Sequence, residues 1–122
     1  EPRTIRVARS SDGFTWKPDD AILIRGESAT GADVSGANLW VHGESLRVVY
    51  HGSSGAIYAR NVNVQLTAVG DARELHSLKG ASNFERVAAP QIVESGDRVH
   101  LFYETGARLT ATIASTSAFF CD

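Results

Sequence analysis

The sequence predicts an all-β chain assembled from antiparallel repeats of about fifty residues. Three observations predict it. Two segments recur at a fixed spacing, each reads as two strands about a glycine turn, and helix signals are poor throughout. The first segment is Ala37-Asn-Leu-Trp-Val-His-Gly-Glu-Ser-Leu-Arg-Val-Val-Tyr50, and the second is Pro90-Gln-Ile-Val-Glu-Ser-Gly-Asp-Arg-Val-His-Leu-Phe-Tyr103. Leu39 matches Ile92, Gly43 matches Gly96, Leu46 matches Val99 and Tyr50 matches Tyr103, each at an offset of 53. A fixed period near this length marks a solenoid, a propeller or an array.

The elements follow in chain order. Residues 4–9 read as a strand, followed by the turn Ser11-Asp12-Gly13 and a second strand over 20–25. Together they form a partial unit, residues 1–35. The unit at 36–87 opens with the first hairpin, whose turn lies at His42-Gly43-Glu44-Ser45. Its second strand, residues 46–50, is rich in β-branched and aromatic side chains. A third strand is expected over 56–60. Residues 61–87 read as an outer strand and a long connection, with one short helix over Ala72–Leu78. The unit at 88–122 repeats the hairpin about Ser95-Gly96-Asp97 and continues into a third strand over 109–114. Leu46, Val48 and Tyr50 share one face of their strand, while Val49 lies on the other. A half-solvated strand would alternate more cleanly. Two apolar faces fit β-propeller blades, four-stranded antiparallel sheets of about 53 residues sandwiched between neighbours. The chain holds about two and a half of them, so the ring is partial or is completed by oligomer partners.

Composition narrows the partners. The chain has 122 residues, 43% of them apolar, and a net charge of −2. No basic patch points to nucleic acid, and no apolar stretch approaches the ~20 residues of a membrane helix. A sugar, a neutral small molecule or a protein is the expected partner. Cys121 is the sole cysteine, so no internal disulfide forms. The chain lacks methionine, which implies removal of a leader or tag, or a cut within a longer protein. An extracellular or secreted location is favoured.

Residues 5–16, Ile-Arg-Val-Ala-Arg-Ser-Ser-Asp-Gly-Phe-Thr-Trp, resemble the third strand and following turn of five-bladed β-propeller glycoside hydrolases, families 43, 32, 62 and 68. Ala89-Pro-Gln-Ile-Val, followed by Val99-His-Leu-Phe-Tyr103, is similar to their inner and second strands. The resemblance implies a protein that binds or processes carbohydrate. Such enzymes need a protonated acid for the leaving oxygen and an ionised partner. The family's acid precedes a small-Pro pair, and here that place reads Ala88-Ala89-Pro90. The family's aspartate at the start of another inner strand corresponds to Gly36-Ala37-Asn38. Neither stretch holds a carboxylate.

Blade topology gathers strand starts and the loops after second strands on one rim. That rim would hold the ligand-binding candidates Asp33, Asn38, His51, Glu104 and Arg108, together with Ser53 and Ser54. Glu104, directly after an apolar strand, is the one candidate acid; its bland reading is an ion pair with Arg108. The hairpin turns, with His42, Glu44, Glu94 and Asp97, would lie on the opposite rim. The Ser-Asp-Gly-x-x-Trp turn reads as structural, with Asp12 accepting backbone N–H groups and Trp16 covering apolar area between blades. Trp40 reads as a core residue or a platform for a sugar ring. No metal is expected, because His42 and His51 stand at opposite ends of a hairpin strand, about 20 to 30 Å apart if fully extended. No cofactor is expected either, since no phosphate loop or nucleophile elbow is present. Three functions follow: a glycosidase-like protein acting on polysaccharide, a non-catalytic propeller module that binds glycan or protein, and a self-assembling structural fragment. In each, further blades come from the same longer chain or from homo-oligomer partners.

Overall fold

The structure of the chain, a computed structural model, describes residues 1–80, 86–107 and 109–119. Among them nine strands and no helix form: β1 Ile5–Arg9, β2 Lys17–Ile24, β3 Val34–His42, β4 Ser45–Gly52, β5 Ala56–Val62, β6 Ala68–Ser77, β7 Val87–Ser95, β8 Arg98–Thr105 and β9 Thr112–Phe119. They make three antiparallel sheets in simple meander order. The first holds β1-β2, the middle β3-β4-β5-β6, and the last β7-β8-β9. The first sheet meets the middle one through β1 and β3, and β7 lies against β3, β4 and β5. The sheets stack in chain order without closing into a ring.

Burial explains the stack. Ile5 and Ile24 of the first sheet pack with Val34, Val48, Tyr50, Ala56 and Tyr58 of the middle one. On the opposite face of the middle sheet, Ile57 packs with Val87, Leu101 and Tyr103 of the last. The middle sheet is therefore apolar on both faces, as the side chains of residues 46–50 foretold. Each such aliphatic side chain contributes roughly 1.5–3 kcal/mol when fully buried.

The repeat is geometric as well as chemical. In the middle sheet Ser35 pairs with His51 and Asn38 with Val49, so Gly36 and Ala37 together face Tyr50. In the last sheet Ala88 pairs with Glu104 and Gln91 with Phe102, so Ala89 and Pro90 together face Tyr103. The same β-bulge thus recurs at an offset of 53. Its first residue has positive φ in both copies, 68° at Gly36 and 49° at Ala89. A bulge leaves its extra residue outside the ladder, which is where a proline lacking an N–H is tolerated. The bulges also join the two sheets, since the Asn38 Nδ2–H donates to the Pro90 carbonyl at 2.8 Å.

Three expectations are corrected. Residues 72–77 are not helical but complete β6, where Glu74 pairs with Tyr58 and Arg73 with Ala59. Ala72, Arg73, Glu74 and Leu75 are good helix formers, but propensity yields to tertiary context, and the far edge of β5 carries N–H and C=O groups that need partners. The third strand of the last sheet starts at Thr112, not at residue 109. Tyr50 pairs with Tyr58, but its equivalent Tyr103 pairs with Ala114, which shifts the third strand to an offset of 56. Three more residues in the preceding connection account for the shift. Trp16 does not lie between sheets. It is 59% exposed, and its Nε1–H donates to the Gly13 carbonyl at 3.1 Å. The turn itself is held by Asp12, whose Oδ1 accepts from the N–H groups of Phe14 and Thr15 at 2.8 Å each. Those bonds, with the Ser10 hydroxyl, hold the Asp12 carboxyl down to about 2.

Candidate functional site

Strand ends from different sheets meet at one rim. Residues Arg3, Ser35, His51, Arg86, Ala88, Ala89 and Glu104 line a pocket of about 320 Å³ there, a size within the range of small-molecule sites. Ser35 and Ala88 are repeat equivalents, as are His51 and Glu104, so the pocket is built largely from two positions of the repeat, each used twice. The segment before β1 closes it. The Arg3 N–H donates to Asp33 Oδ1 at 2.7 Å, and the Val34 N–H donates to the Arg3 carbonyl at 3.2 Å.

His51 organises the centre. The Ala89 N–H donates to its Nδ1 at 3.0 Å, and its Nε2 lies 3.0 Å from Ser35 Oγ. A backbone N–H can only donate, so Nδ1 is the acceptor and the ring proton sits on Nε2. Ser35 Oγ then accepts from Nε2–H. Burial, and next the Arg86 guanidinium, push the His51 pKa down; Glu104 opposes this and Arg3 adds to it. The ring is neutral, with its one lone pair occupied. His51 therefore does not serve as a base toward Ser35, and the two form a structural pair rather than a nucleophile and its base.

Gly36 is required for this packing. A Cβ there, at φ 68°, would stand 2.6 Å from His51 Nδ1 and 3.3 Å from the Ala89 Cα. The bulge and the histidine ring thus fit because one side chain is missing.

Glu104 is bridged by Arg86. A carboxylate bridged by a guanidinium acts as a hydrogen-bond acceptor. Hydrolysis asks for a second carboxyl to stand opposite it, and among the described lining residues Glu104 is the sole one. Ala88 and Ala89, at the place where the resemblance asks for an acid, line the pocket with methyl groups.

The remaining candidates are dispersed. Asp33 is spent on the chain itself, accepting from Arg3 and donating its own N–H to Ser53 Oγ at 3.2 Å. It lies beside the pocket and does not line it. Asn38 ties β3 to β7 through Pro90. Ser54 Oγ meets the Tyr58 hydroxyl at 2.6 Å. Arg108, the expected partner of Glu104, lies outside the described residues, as does Cys121; Arg86 is the partner seen.

No protein-family model and no curated protein matches the chain. The site is defined by its own lining residues. Three of them, Arg3, Ser35 and Arg86, were not among the expected rim residues. Two could have been found by applying the offset of 53 to the rim: Arg86 is the equivalent of Asp33, and Ser35 of Ala88. Arg3 carried no such signal, because its place depends on the main-chain bonds to Asp33 and Val34.

At the other ends of the strands, Glu94 Oε1 accepts from Trp40 Nε1–H and meets His42 Nδ1, both at 2.8 Å. The Arg47 guanidinium lies 4.7 Å from the centre of the Trp40 ring. Trp40 is thus held between the two sheets by Glu94 and covered by Arg47, which accounts for it without a ligand. Among the described residues no group of three or more His, Cys, Asp or Glu side chains could hold a metal ion.

Proposed function

We propose that the chain is a β-propeller-type carbohydrate-binding unit whose rim pocket takes a sugar without hydrolysing it. The observation that carries this reading is the convergence of Arg3, Ser35, His51, Arg86 and Glu104 on one pocket at the rim. The pocket mixes a hydroxyl, a carboxylate and guanidinium groups, the types that bond sugar hydroxyls. Glu104 is engaged by Arg86 and has no carboxyl partner among the lining residues, which favours binding over bond cleavage. The scaffold part of the reading rests on the recurring bulged hairpin and on the likeness of residues 5–16 to glycoside hydrolase blades. Calorimetric titration with neutral and acidic oligosaccharides tests it. Binding with loss on Glu104→Gln supports the reading, and no binding across the panel overturns it. Incubation with arabinan, xylan and fructan is expected to release no sugar; release would restore the glycosidase reading.

A second reading, association with further sheets of the same kind, has its own observation. Val49 and Ile57 of the middle sheet are both 0% exposed beneath the last sheet. By pairing register their equivalents on the last sheet are Phe102 and Ile113. These are 41% and 74% exposed. Another sheet packed there would give the last sheet the cover the middle one has. A monomeric mass at micromolar concentration would exclude copies of this chain as that cover.

A further inference from the structure

The pocket's charges do not balance. Arg86 and Glu104 neutralise one another, and His51 is uncharged. Arg3 is left over. Its main-chain N–H and carbonyl are bonded to Asp33 and Val34, while its guanidinium makes no hydrogen bond or ion pair among the described residues. The neighbouring Asp33 carboxylate accepts from the Arg3 backbone and is not part of the pocket lining.

Ser35 adds a second donor. Because its Oγ accepts from His51 Nε2–H, its own hydroxyl hydrogen is free to point elsewhere. The N-terminal segment and β3 therefore bring two donor-bearing residues, Arg3 and Ser35, to the pocket lining. The last sheet presents a carboxylate acceptor, Glu104. A guanidinium and a hydroxyl lining one pocket suit a carboxylate, and a carboxylate acceptor suits hydroxyl groups.

We propose that the rim pocket selects acidic sugars, binding a uronate residue with its carboxylate on Arg3 and Ser35 and its hydroxyls on Glu104. This rests on the carbohydrate-binding reading above and narrows its ligand class. The complementary charge accounts for selectivity, since the bridged Arg86–Glu104 pair is equally available to neutral and acidic sugars.

The test is calorimetric titration of the whole chain with oligogalacturonate and with the fully methyl-esterified oligomer of the same length. The two share every hydroxyl and differ in charge. The acid is expected to bind about tenfold tighter or more, the range of a charge-assisted hydrogen-bond pair, with the margin shrinking as salt rises. Arg3→Gln should collapse the ratio toward one, and Arg3→Lys should keep part of it. Arg25→Gln, which removes the same charge from an exposed residue outside the pocket lining, should leave the ratio unchanged. Equal binding of acid and ester overturns acid selectivity and leaves sugar binding standing. An equal collapse with Arg25→Gln, or equal competition by dextran sulfate, reduces the effect to overall charge and overturns it too. No binding of either oligomer overturns the uronate proposal, and no binding across the wider oligosaccharide panel removes the sugar-binding reading as well.

Discussion

The middle and last sheets carry the same bulged hairpin, yet they sit in different surroundings. Val49 and Ile57 are sealed beneath a neighbour, whereas Phe102 and Ile113, at the same positions of the repeat, face outward. The bulge differs too. The middle sheet uses glycine at the positive-φ position, and the last sheet uses alanine. The repeat specifies backbone geometry in both places, while the neighbour decides which side chains stabilise it.

The largest test of this contrast is paired truncation. Ile57→Ala should cost about 2–5 kcal/mol, as buried isoleucines do. Ile113→Ala should change stability by less than ~0.5 kcal/mol, as exposed sites do. Urea unfolding of both variants at several concentrations checks this. A large cost at Ile113 that grows with protein concentration would mean that the outer face is covered in solution.

The bulges give the next effect, with opposite signs. Gly36→Ala should destabilise by roughly 2 kcal/mol, combining an alanine at positive φ with a contact against the His51 ring. Ala89→Gly relieves positive φ and should stabilise by about 1 kcal/mol, less the entropy that glycine adds to the unfolded chain. Thermal melts of the two variants side by side would break the equivalence if both moved in the same direction.

A pH titration probes the middle sheet through His51. The folded pKa of His51 lies below its ordinary value of 6.5, so the unfolded chain binds the proton more readily. Its contribution is complete above that ordinary value and is lost as pH falls through it toward the folded pKa. Protonation also turns Nδ1 into a donor facing the Ala89 N–H. Stability should decline below about pH 6.5, and His51→Asn should flatten that part of the curve. An unchanged profile in the variant would remove His51 as the cause.

The smallest effect is local to the first sheet. The Asp12 carboxyl should titrate at about 2 by carbon-detected NMR, because the N–H groups of Phe14 and Thr15 and the Ser10 hydroxyl favour its charged form. Lowered in the folded state, it favours folding above its ordinary value of 3.8, and that support fades as pH falls toward 2. A midpoint near 3.8 would mean the turn opens in solution.

Much of this was legible in the residues. The offset of 53 predicted both hairpins, and the glycine turns and β-branched runs predicted their strands. Residues 72–77 were misread because their pairing partner, the edge of β5, is a non-local demand that a window of ten residues cannot register. The start of β9 was misread because a connection changed length while the strands did not. His51 and Glu104 were legible as rim residues from topology alone. Arg86 was within reach of the same offset. Arg3 was not, since its place comes from two main-chain bonds to residues thirty positions away.

The sequence by itself determined an all-β chain, its repeat, and the rim where His51 and Glu104 would lie, because alternation and turn chemistry are local and periodic. Their partners came from the tertiary fold. Asp33 and Asn38 were spent on holding the chain together, Trp40 was fixed by Glu94, and Glu104 was engaged by Arg86. Hydrogen-bond partners and burial arise from contacts distant in sequence, which local alternation and turn chemistry do not register.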